Sequence, residues 1–112
     1  STLCEVAREV GLVTKIVVET GYLKKRQKRH AIAICEQAKA DLIQTSTGFA
    51  SAVTDEADLA LLCKNRSAKI GIKAAGGIQT IESALRLIEA GAERLGIEKA
   101  SKVLAAAQEL AE

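Results

Sequence analysis

The 112-residue chain has no proline, methionine or tryptophan, and its only aromatic residues are Tyr22 and Phe49. Without proline nothing locks φ or forces a helix break, so element boundaries must come from glycines and caps. Without aromatics the 48% hydrophobic content has to pack through Ala, Ile, Leu and Val, as buried parallel α/β layers do. The missing initiator methionine points to a fragment, a processed chain or an engineered one. No apolar run approaches the ~18 residues of a membrane span, and no signal-peptide pattern opens the chain. Sixteen Lys and Arg against fourteen Asp and Glu leave a net charge of +2, too little to argue for general polyanion binding. Cys4, Cys35 and Cys63 are odd in number and lack metal-ligand spacing. Each falls among apolar neighbours in an expected helix, which reads as buried, reduced thiols in a cytoplasmic protein with no metal and no cofactor.

What is present is repetition. Residues 15–19, 42–45, 69–73 and 94–96 read as short strands, and each is followed by a helical stretch: about 24–39, 54–64, 80–90 and 99–110. A leading helix over about 2–10 ends at Gly11. Thr54, Asp55 and Glu56 supply a cap and first-turn acids for the second of the four helices, and Thr80 caps the third, which Gly91 closes. Strands alternating with helices predict βαβ units, a parallel sheet and one domain over residues 1–112.

Two motifs carry the chemistry. Gln44-Thr45-Ser46-Thr47-Gly48-Phe49 follows the apolar Leu42-Ile43, and Lys73-Ala74-Ala75-Gly76-Gly77-Ile78 follows Ile70-Gly71-Ile72. Each sits where a buried parallel strand would give way to its loop. Together they resemble the signature of the deoxyribose-phosphate aldolases, class I (Schiff-base) aldolases built on a (β/α)8 TIM barrel. The resemblance runs from about residue 12 to 97 and implies the C-terminal four βα units. A whole barrel needs about 250 residues and at least roughly 200. The expected fold is therefore α/β: a (β/α)4 half of a TIM barrel with strand order 1-2-3-4 and a leading helix. A flavodoxin-like rearrangement with helices on both faces is the monomeric alternative.

In that family the first motif usually begins with the lysine that forms the imine. Gln44 stands at that position here, and an amide cannot form an imine. Lys73 matches the second lysine, whose charge perturbs the nucleophile. Lys15 matches a further lysine; it opens its strand and is expected at the bottom of the sheet in a structural role. Glu19, from Glu19-Thr20-Gly21, is expected to hold a lysine or backbone donors. Gly48, Gly76, Gly77 and Gly96 match the glycines of the phosphate site. Two departures weaken that site: Gln79 follows Gly-Gly-Ile where the family often has a cation, and Glu98 falls within Gly-x-Ser-Ser. The family's catalytic aspartate belongs to the half for which this chain has no counterpart.

The resemblance thus implies an aldolase-derived half-barrel without native turnover, keeping some affinity for phosphate, sulfate or a phosphorylated small molecule. The alternative is an active carbon–carbon lyase on deoxyribose 5-phosphate, using Lys73 or a half supplied by a partner. An isolated half exposes two strand edges and an inner face expected to be apolar. A homodimer closing eight strands would cover both. The basic run from Lys24 to His30 opens a helix and reads as a solvated face; without an aromatic platform or a recognised motif it is not a nucleic-acid signature.

Overall fold

The computed structural model describes residues 2–47, 56–67 and 70–111. Helix α1 (Thr2–Glu9) leads into strand β1 (Lys15–Val17) and a single 3-10 turn (Thr20–Tyr22). Then follow α2 (Lys25–Gln37), β2 (Leu42–Gln44), α3 (Glu56–Asn65), β3 (Gly71–Ala75), α4 (Ile81–Glu89), β4 (Arg94–Gly96) and α5 (Ala100–Ala111). The strands form one parallel sheet in the order β1-β2-β3-β4. That is the half-barrel topology the repeats predict.

Helix ends follow local chemistry. The Thr80 Oγ1 accepts the Ser83 N–H at 3.2 Å and starts α4. Helices α1, α2 and α4 all close on one motif, in which an N–H reaches back five residues: Leu12 to Ala7, Ala40 to Cys35, Ala92 to Leu87. The residue before each of those donors has positive φ. It is Gly11 and Gly91 in two cases but Lys39 (φ 60) in the third, where a side chain makes the left-handed conformation costlier by roughly 1–2 kcal/mol. The Thr54 and Asp55 cap of α3 lies outside the described residues, as do Gly48, Phe49 and Lys69.

Alternation sorts the strand residues onto two faces. Ile43, Ile72 and Ala74 face the helices and are fully buried with Ile32, Cys35, Leu59, Leu62, Ala84 and Leu87. The same registers put Lys15, Val17, Leu42, Gln44, Gly71, Lys73, Ala75, Arg94 and Gly96 on the opposite face. No helix of the described residues covers that face, which rules against the two-faced flavodoxin-like alternative. The open face was expected to be apolar; it carries three cations instead. The Cα radius of gyration, 14.6 Å, exceeds the ~13 Å of a compact domain of this length, as an open layer should.

Two boundaries differ from expectation. Strand β1 stops at Val17, because Glu19 turns left-handed (φ 47) to begin the 3-10 turn. Strand β3 runs over Gly71–Ala75 and not over 69–73. Gly76 (φ 99) and Gly77 (φ 74) end it, so Lys73 sits in mid-strand and not at the strand's end.

Candidate amine site on the open sheet face

Lys73 is held by β3 between Gln44 on β2 and Arg94 on β4, its in-register neighbours. Lys15 reaches it from β1. Interaction with the Lys15 side chain first, then partial burial and the Lys15 and Arg94 charges, push the Lys73 amine below the ordinary lysine range. Lys15 opens β1, as expected, and its side chain also acts on Lys73. Lys15 pairs with Leu42, two residues below Gln44, a climb of about 6.6 Å along the strand that a lysine side chain spans.

Gln44 is buried, and its Nε2 donates to the Ser46 carbonyl at 2.6 Å, turning the amide into its own loop. The next residue ties two strand ends together: Thr45 Oγ1 donates to the Ala75 carbonyl and accepts the Ala75 N–H, both at 3.1 Å. Glu19 accepts the Thr47 N–H at 2.7 Å and the Thr47 hydroxyl at 2.8 Å, and these bonds hold its carboxyl below the usual range. It thus holds a backbone donor, one of the two roles expected of it.

Above Lys73 lies a depression of about 260 Å³ lined by Gln44, Thr47, Lys73, Ala75, Gly76, Gly96, Ile97 and Glu98. One expected anion donor is already engaged. The Gly77 N–H points at Glu98 Oε1 (3.3 Å), and Gln79 Nε2 donates to Oε2 (2.9 Å). The Gln79 bond first, then the Gly77 amide, keep Glu98 ionised to lower pH than an ordinary glutamate. The two departures from the family pattern, Gln79 and Glu98, are thus partners. Gly96 has a packing reason to lack a side chain: a Cβ there would stand 2.9 Å from the Ala75 Cβ and 3.4 Å from the Lys73 Cε.

The basic run is only partly a solvated face. Lys28 is mostly buried and paired with Asp58 of α3, while Lys24, Lys25, Arg26, Arg29 and His30 are exposed. Sequence reasoning missed the convergence of Lys15 and Arg94 on Lys73 and the Glu98–Gly77 contact. The available signal was the shared parity of Lys15, Lys73 and Arg94 once the strands are placed in register.

No protein-family model matches the chain. Curated relatives do. The deoxyribose-phosphate aldolase of Thermococcus kodakarensis is 41% identical over 100 residues, 89% of this chain and 45% of that protein. That of Aquifex aeolicus is 43% identical over 95 residues, 84% of this chain and 43% of the relative. Among solved structures, the tetrameric deoxyribose phosphate aldolase of Aeropyrum pernix superposes with a TM-score of 0.87 at 27% identity, covering 97% of this chain and 47% of that one. The chain spans under half the length of the relatives it matches.

Proposed function

We propose that this chain, a homologue of part of deoxyribose-phosphate aldolase, is the amine-bearing half of an aldolase-like barrel, with Lys73 the group that adds to an aldehyde and with no aldolase turnover of its own. One observation carries the reading: Lys15 and Arg94 flank Lys73 on the open face, beneath a depression large enough for a small carbonyl compound. Two neighbouring cations disfavour a third, so more of the Lys73 amine is neutral at a given pH, and only the neutral amine is a nucleophile. Its lone pair forms the N–C bond while the carbonyl oxygen takes up a proton. The carbinolamine then loses water to give the imine.

Carbon–carbon cleavage also needs a group that moves protons at the substrate. Of the described carboxylates, Glu98, which lines the depression, and Glu19, bonded to its lining Thr47, are committed as ionised acceptors to Gly77, Gln79 and Thr47. Gln44 cannot take the nucleophile's role, and its amide is turned into the loop. Gly76, Gly77 and Gly96 would supply the outline of a phosphate cradle that Glu98 weakens. The second reading is a carbon–carbon lyase acting on deoxyribose 5-phosphate once the barrel is completed; the Thr45 bracket beside an amine held below the ordinary lysine range favours it. Two copies of this chain would supply the required number of strands, though the charge they would bring together bears on that pairing.

The test is reductive trapping with glycolaldehyde and borohydride, read by intact mass and peptide mapping. A single early adduct at Lys73, lost in Lys73→Met, is expected. Adducts spread evenly over surface lysines, unchanged in Lys73→Met, would refute the assignment.

A further inference from the structure

Helix α2 opens on the strongest charge feature of the chain, and the amine site makes no use of it. Lys24, Lys25, Arg26, Arg29 and His30 are all exposed. Of that run only Lys28 is ion-paired among the described residues, with Asp58. The first turn of α2 holds no acid, and its one carboxylate, Glu36, lies toward the far end and accepts the Ser67 N–H. Cations at a helix N-terminus oppose the macrodipole, so the fold is less stable for carrying them there. The packing of α2 on the sheet does not need them, because its buried side is Ile32 and Cys35. Charge that costs stability and serves no internal contact fits a surface that meets negative charge from outside.

Among those cations lies an apolar groove. Leu23, Arg26, Gln27, His30, Ala31 and Ile34 line a depression of about 260 Å³ on α2, and the surface they present in it is apolar. Ile34 is 53% exposed there. The lining residues recur at three- and four-residue spacing, so they form one stripe along the helix. We propose that this stripe docks an acidic amphipathic helix of a partner protein, which sets an apolar side chain against Ile34 and carboxylates beside Arg26 and its neighbouring cations. A membrane fits less well: in-plane insertion needs a broad apolar face, and that of α2 is spent on the sheet. A nucleic acid would meet the cations but leave the apolar floor empty, and no aromatic side chain lines the groove to stack on a base. A second copy brings the same net charge of +2 and is repelled. Neither the half-barrel reading nor the reactivity of Lys73 enters this inference.

The test titrates the chain with a synthetic amphipathic helix that carries leucines at three- and four-residue spacing on one face and glutamates on the other. Its control has glutamine in place of glutamate. The acidic peptide is expected to bind at least about ten-fold tighter than the control, to weaken as salt is added, and to shift the amides of residues 22–34. Ile34→Ser, at an exposed position that the fold tolerates, should weaken binding by about ten-fold. Arg26→Glu puts an acid in the first turn, so it should weaken binding and yet raise the urea midpoint. Loss of stability together with binding in that variant would make Arg26 a structural residue and overturn the inference. So would no binding of the acidic peptide, equal binding of the two peptides, or binding indifferent to Ile34→Ser. Tighter binding of phosphatidylserine vesicles or of oligothymidine than of the peptide overturns it in favour of a membrane or a nucleic acid. Self-association in sedimentation that is lost in Ile34→Ser overturns it in favour of a second copy.

Discussion

Gly96→Ala is the sharpest probe of how the open face is packed. In a strand with ordinary negative φ, replacing glycine by alanine stabilises a protein by about 0.4–1 kcal/mol, because the unfolded chain loses freedom. Gly96 is not among the glycines with positive φ, so its backbone accepts alanine. The neighbour does not. The new Cβ would lie 2.9 Å from the Ala75 Cβ, and carbon atoms settle at about 3.5–4.0 Å, so β3 and β4 must part by roughly 0.6–1 Å. A methyl group has no rotamer to yield, and overpacking of this kind typically costs ~1–3 kcal/mol. The net expectation is a loss of about 1–2 kcal/mol, opposite in sign to the generic substitution. Urea unfolding followed by circular dichroism measures it. In an Ala75→Gly background the closest remaining contacts are the flexible Lys73 Cε at 3.4 Å and the Ala75 Cα at 3.6 Å. There the same change should be neutral or stabilising, a coupling of about 1–3 kcal/mol across the cycle. If Gly96→Ala stabilises the otherwise unaltered protein, close approach of the two strands is not why this glycine is there.

Three further outcomes follow from the site. Gln44→Lys places a second amine beside Lys73 and should raise the borohydride trapping rate by about ten-fold, the gain for each 1.36 kcal/mol by which the neutral amine is favoured; an unchanged rate would show that position 44 does not face the cations. Phosphate should bind the unaltered chain no more tightly than the millimolar range, about −4 kcal/mol; Glu98→Ser should tighten it and move the Gly77 amide resonance, and shifts confined to residues 24–30 would place the anion on α2 instead. Because the folded-state pKa of Lys73 is depressed, the unfolded chain binds more protons between that value and the ordinary lysine range. Stability should therefore rise with pH through that alkaline window, with the full cost of the charged amine present below it, and Lys73→Met should flatten the rise in urea midpoints measured across a pH series.

The elements legible in the sequence are those whose signals are local. The Thr80 cap and the Gly91 terminator each act within a turn of the α4 end they set, and Gly11 ends the turn after α1. Strand β3 was misplaced because a lysine reads as a strand end, whereas the layer places Lys73 in mid-strand on a face that no helix covers. The site shows the same division. Gln44 and Lys73 can be named from their motifs, but the approach of Lys15 depends on a parallel register between segments 27 residues apart, Lys15 with Leu42. Glu98 can be seen in the sequence as a like charge near a phosphate site. Its bond to Gly77 joins residues 21 apart and exists only after two loops are brought together.

That bond has a consequence for any titration of the cradle. A carboxylate tethered a few ångströms from the Gly77 amide acts as a competitor that cannot be diluted away, and its effective concentration is set by the chain, on the order of millimolar for a short flexible tether. A free anion has to displace it at every occupancy. Weak phosphate affinity in the unaltered chain would then measure the tether and not the shape of the glycine turn. Acidification through the depressed Glu98 pKa would weaken the competitor by neutralising it, while leaving the turn's backbone in place.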